Sequence, residues 1–126
     1  MFHSIARGFG RIGIVAAASF AAGCAASPAD IPASYVSPVN YQNWTCDQLA
    51  QEGQRLVTAL TQASQRQEQA RTNDTVGVLL VGLPVGSMSG QNIAPEVGRL
   101  KGEHEALYHV ALEKRCDVTE TDSINR

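Results

Sequence analysis

The residues able to do chemistry are few: three cysteines, Cys24, Cys46 and Cys116, and the pair of histidines in His104-Glu105-Ala106-Leu107-Tyr108-His109. The histidine stretch looks like a zinc-protease H-E-x-x-H, but its histidines are five apart. That spacing turns them about 140° from each other on a helix, against about 40° for a spacing of four, so one metal cannot take both. Cys46 and Cys116 come without a matching histidine pair and do not make a zinc site. His104 instead falls on an apolar helical seam and is expected to be a packed, hydrogen-bonded core residue. Glu105 and His109, four apart, suit a surface ion pair. There is no nucleophile elbow, and Gly98 to Gly102 lack the lysine and hydroxyl of a phosphate loop. The acidic residues are scattered over helix faces. The expectation is a chain without catalytic, metal or cofactor sites, not an enzyme.

What remains is thiol chemistry, and that depends on where each cysteine sits. Residues 1–11, MFHSIARGFGR, carry Arg7 and Arg11 and no acid. Ile12 to Ala22 are apolar or small, a run of about eleven where a membrane-spanning helix needs about twenty. A basic start, a short apolar middle and a small-residue end describe an export signal peptide. A core helix is the alternative, but the run has no polar face. Small residues Ala21, Ala22 and Gly23 lead directly into Cys24. This ending resembles the lipobox of bacterial lipoproteins, with Ala21 standing where that family usually has Leu. The resemblance implies cleavage between Gly23 and Cys24, a diacylglycerol (palmitate-type chains) on the Cys24 thiol, and acylation of the new amino group. One acyl chain holds a protein to a membrane only marginally, whereas two or more hold it stably. Ala25, rather than Asp, after the cysteine implies the outer membrane, facing the periplasm. Ordinary cleavage near Ala26 is the alternative. The stretch GRLKGEHEAL, Gly98 to Leu107, also resembles an R-L-K-G-E-x-E-A-L element of small uncharacterised Gram-negative lipoproteins, and implies no activity.

Export changes the reading of the other two cysteines. Exported compartments permit disulfides, and with Cys24 taken by lipid only one pairing is left, Cys46 with Cys116. Two free buried thiols are the alternative. Removing residues 1–23 takes the net charge from −2 to −4. No basic cluster survives, which argues against a nucleic-acid partner. About 103 residues remain, one small domain at most.

Those residues divide by pattern. Residues 24–42 hold three prolines and many small residues with no helical period, and predict a lipidated flexible tether reaching about 55 Å when extended. Thr45 and Gln48 form a T-x-x-Q capping box. From Cys46 apolar or small residues recur in steps of three and four through Leu49, Gly53, Leu56, Leu60, Ala63, Gln67 and Ala70. This predicts a helix over 46–72, with Asn73-Asp74 a stop or bend, or continuing to Leu83 and turning at Pro84. A second helix over 95–116 begins at Pro95, with a stripe of Ala94, Gly98, Gly102 and Ala106 that allows close approach of another helix. Residues 119–126 read as a disordered tail. The fold expected over 43–118 is all-α, an antiparallel, coiled-coil-like two-helix hairpin stapled at its open end.

Its connector raises the functional question. Val76 to Val85 carry no charge, and Leu79, Leu80, Val81, Leu83, Pro84 and Val85 form an apolar tip. Gly82, Gly86 and Gly90 are spaced as a glycine zipper, but Pro84 interrupts it, so Gly86 to Gly90 are expected as loop. The tip could pack on a second copy, touch a membrane or envelope partner, or fold back as local core. The function expected is a lipid-anchored periplasmic envelope protein with a structural or interaction role. The alternative is a small inhibitor or adaptor of an envelope transporter, secretion complex or cell-wall enzyme.

Overall fold

The computed structural model describes residues 24–117. The expected signal peptide, its cleavage-site Gly23 and the expected tail lie outside the described residues. Within them the fold is all-helical: α1 (Cys46–Val81), a single-turn α2 (Val85–Met88) and α3 (Ala94–Glu113). Two 3₁₀ turns, Pro28–Asp30 and Pro38–Tyr41, precede α1. α1 starts where its capping box places it. Thr45 Oγ1 accepts from the Gln48 N–H, and Gln48 Oε1 accepts from the Thr45 N–H at 2.8 Å.

α1 does not stop at Asn73-Asp74. It runs 36 residues to Gly82, which closes it at φ +75°. At 1.5 Å per residue α1 is about 54 Å long. Its buried positions keep steps of four and three throughout: Leu49, Gly53, Leu56, Leu60, Ala63, Gln67, Ala70, Asp74 and Gly77. Asp74 is therefore a seam residue and not a helix breaker. The first part of this seam meets Val97, Leu100, Leu107, Val110 and Ala111 of α3 in one core. The two long helices run in opposite directions, since Cys46 reaches Cys116 at one end while Gln67 reaches Ile93 at the other.

α3 ends earlier than the sequence suggests. Arg115 adopts φ +58°, the Arg115 N–H bonds the Leu112 carbonyl, and the Cys116 N–H bonds that of Ala111 at 2.9 Å. This left-handed closure turns the chain off the helix axis. It explains how Cys116, two residues beyond the seam position at Lys114, still reaches Cys46.

The largest correction concerns residues 25–42. They are not a free tether but a strap laid along the helices, with Ala25, Ile31 and Tyr41 buried. Two devices seat it. The Ser34 N–H donates to the Gly98 carbonyl at 2.8 Å, and the Lys101 ammonium donates to the carbonyls of Pro28 and Ile31, each at 2.7 Å. Gly98 and Gly102 make room for it. A Cβ on Gly102 would overlap the Ser34 carbonyl oxygen. The small-residue stripe of α3, read from the sequence as allowing close approach of another helix, thus receives strap backbone at Gly98 and Gly102. The prolines are compatible with both outcomes, because an extended segment lacking a helical ladder can pack wherever its carbonyls find donors. At the far end of the strap, Tyr41 meets Trp44 edge to face, centroids 5.2 Å apart.

Candidate functional site

The strap begins against α1 in a small polar cluster that the apolar pattern alone would not suggest. Asp74 is fully buried. Its carboxylate accepts from the Ala25 N–H at 2.7 Å, the Ser87 N–H at 2.7 Å and the Ser87 hydroxyl. Burial pushes its pKa up, but these bonds, together with one from the Gly86 backbone, outweigh burial and hold it below the ordinary 3.8. A carboxylate surrounded by donors stays ionised without a cation beside it.

One heptad earlier on the same seam, Gln67 is also fully buried. Its amide N–H₂ donates to the Ala26 carbonyl and to Asn92 Oδ1, each at 3.0 Å, and its Oε1 accepts from the Ile93 N–H at 2.8 Å. The two residues therefore fasten three segments to α1: the start of the strap, α2 and the start of α3. α2 sits close because Gly86 has no side chain, and a Cβ there would lie 2.5 Å from the Ala70 carbonyl oxygen. Gly86 is thus helical and packed, where a loop was expected.

Cys24, the residue before Ala25, is exposed with a free thiol. Its position is consequently fixed to within one residue of Asp74. Beyond Asp74 the character of α1 changes. Leu79 and Leu80 are 79% and 78% exposed, and Val81, Leu83, Val85, Val76 and Val78 are exposed as well. Met88, at 68%, belongs with them; Pro84 is half-buried. The expected tip is therefore one uncovered apolar cap, enlarged by Val76, Val78 and Met88. No charged residue lies between Asp74 and Glu96. Folding back as local core is ruled out for Leu79 and Leu80 by their exposure, while Gly77 and Gly86 alone of this stretch are buried.

At the opposite end Cys46 and Cys116 are disulfide-bonded across a sequence separation of 70. His104 is buried on the seam and its ring lies near-parallel to Tyr108, centroids 6.4 Å apart. His109 pairs with Glu113 at 3.2 Å and not with Glu105 as its spacing had suggested. Among the described residues no group of three or more His, Cys, Asp or Glu could hold a metal ion, and no helix is long and apolar enough to cross a membrane.

Sequence reasoning did not assign Asp74, Gln67, Ser87, Asn92 and Lys101 to the hydrogen bonds that fasten strap, α2 and α3. Ser87, Asn92 and Lys101 carried no signal; for Gln67 and Asp74 one was present, a Gln and an Asp one heptad apart on an otherwise apolar or small seam. A polar residue there must be bonded if it is buried. No family model, curated protein or solved structure matches this chain.

Proposed function

We propose that the protein is a lipid-anchored component of a bacterial envelope, with Cys24 carrying the lipid and the helical body serving a structural or protein-interaction role without catalysis. On this reading the segment before Cys24 is removed, the mature chain starts at the strap, and the body is an antiparallel helical hairpin. The observation that carries it is the conjunction at Cys24. Cys24, which closes a small-residue, lipobox-like run, is exposed, and the residue after it, Ala25, is buried and bonded to Asp74. A modifying enzyme needs an accessible thiol, and a lipid on Cys24 would sit one residue from a buried contact with the helical body.

Intact-mass analysis and fractionation of wild type and Cys24→Ser test this. The expected wild type begins at Cys24, carries added acyl mass and stays with membranes, while the variant is neither lipidated nor cut at that bond. An unmodified wild-type chain still starting at Met1 overturns the reading. Crosslinking in cells then separates the two interaction roles: a single stoichiometric foreign partner favours an adaptor or inhibitor.

A further inference from the structure

We infer that the apolar cap formed by Val76, Leu79, Leu80, Val81, Leu83 and Met88 rests in the surface of the same lipid leaflet that holds Cys24, so that the body is seated on the membrane at one end instead of swinging from it. The inference rests on the anchor reading above and adds an orientation and a lipid contact that lipidation alone does not require.

Three observations select lipid over a second copy of the chain. The first is position. The Ala25 N–H is bonded to Asp74, so an acyl group on Cys24 enters the membrane beside the root of the cap. A free 18-residue tether would have set no such relation; the packed strap does. The second is depth. Seven residues separate Asp74 from Val81 at the end of α1, about 10 Å of helix. Interfacial segments bury their apolar surface about 5–10 Å into the boundary between headgroups and acyl chains. With the Cys24 glycerol at headgroup level, the cap reaches that boundary and goes no further.

The third is shape. Val78, Leu79, Leu80 and Val81 are four successive exposed residues, and at 100° each they surround the helix. A helix docking on a protein partner presents a stripe, and one apolar on all sides asks for an apolar environment on all sides. A second copy could cover one side of this cap and would leave the other in water. The absence of any charge from Thr75 to Pro95 removes the groups that would resist insertion. The backbone at the cap is also suited to the interface: α1 is closed by Gly82, whose N–H bonds the Val78 carbonyl at 3.0 Å.

A single label decides. With Cys46 and Cys116 bonded and Cys24 acylated, Leu80→Cys offers the one free thiol, at a position where substitution removes little packing. The protein is labelled there with an environment-sensitive fluorophore and reconstituted into phosphatidylethanolamine–phosphatidylglycerol vesicles containing brominated acyl chains. The expected result is blue-shifted emission quenched by the brominated lipid at every protein density, and no such response from a label at Gln54→Cys, far along α1. Water-like emission on a protein whose mass shows an acylated Cys24 overturns the seated orientation and leaves the anchor standing. A blue shift that grows with protein density and ignores the brominated lipid overturns it in favour of a second copy. If the mass shows no lipid, the anchor reading fails. The same labelled position, carried on the mature form produced without a leader (residues 24–126 with Cys24→Ser) and titrated with added vesicles, then reports on the cap alone: quenching sustains its contact with lipid, and no quenching overturns it. In that titration Leu79→Asn with Val81→Asn should weaken vesicle binding at least about tenfold, since two large apolar side chains no longer leave water.

Discussion

The two ends of this molecule are held by different physics. At the base, Cys46 and Cys116 are covalently joined, Thr45 and Gln48 cap α1 and Tyr41 packs on Trp44. At the other end no covalent bond exists among the described residues. Buried side chains of Asp74 and Gln67 gather strap, α2 and α3 through hydrogen bonds, and an uncovered apolar cap extends beyond them. The difference teaches how a small helical body can be firm at one end and still leave apolar surface exposed at the other. A covalent bond acts chiefly on the unfolded chain and is indifferent to what surrounds it, whereas a bonded polar cluster fixes the geometry of the end that carries it.

The largest expected effect breaks the base. Cys46→Ser with Cys116→Ser should lower stability by about 4 kcal/mol on the chain-entropy account of a loop this long. Urea titration should show the loss as a lower midpoint, and amide exchange should place the added fraying at residues 46–56 and 107–116. Asp74→Ala attacks the other end. It leaves the donors of Ala25 and Ser87 without their acceptor, and a broken buried hydrogen-bonded charge site costs about 2–4 kcal/mol. The Ala25 and Ser87 amides should then lose protection while Leu107 keeps it. The same carboxylate makes the Asp74 end the more sensitive to acid. Because its folded pKa lies below the ordinary 3.8, its stabilisation is complete above that value and is lost as pH falls through the lowered one. Strap and α2 amides should loosen at acid pH before those next to the disulfide.

This contrast also governs what could be read from the residues. The base was legible because its signals are local or singular: a T-x-x-Q cap, a heptad seam from Cys46, and one remaining cysteine pair. The apolar cap was legible as a charge-free run. The strap was not. Ile31, Val36 and the backbone of Ser34 pack because α3 presents Gly98, Gly102 and Lys101 to them, and that complementarity joins residues about 65–70 positions apart without any period to reveal it. Asp74 left two outcomes open, a stop or a helix continuing toward Leu83, and the second holds, with α1 running to Val81. Asn and Asp commonly end helices because they compete for backbone donors, and here Asp74 satisfies donors from two other segments while its own helix continues. His109 shows the smaller failure, since on one continuous helix a spacing of four fits Glu105 and Glu113 equally and only the side-chain rotamers decide.

Two weaker changes sharpen the comparison, one on the strap between the ends and one at the base. Gly102→Ala sets two effects of opposite sign against each other. Alanine favours a helix interior by about 1 kcal/mol over glycine, but its Cβ overlaps the Ser34 carbonyl, and overpacking of this kind costs about 1–3 kcal/mol. Backbone cannot rotate aside as a side chain can, so the clash should win with a net loss of about 1 kcal/mol. The sign is the test: if the variant is more stable than wild type, the strap is not seated on α3. Its local signature is faster exchange at the Ser34 amide with α3 amides unchanged. Thr45→Ala is the smallest, about 1 kcal/mol for a lost helix cap, and it touches only the base. Because the disulfide already restrains Cys46, fraying of the first turn cannot spread far. Ala25, Ser87 and a label at Leu80 should therefore report no change. A shift at any of them would mean that the base and the cap are coupled through α1, and that the two ends are not independently held.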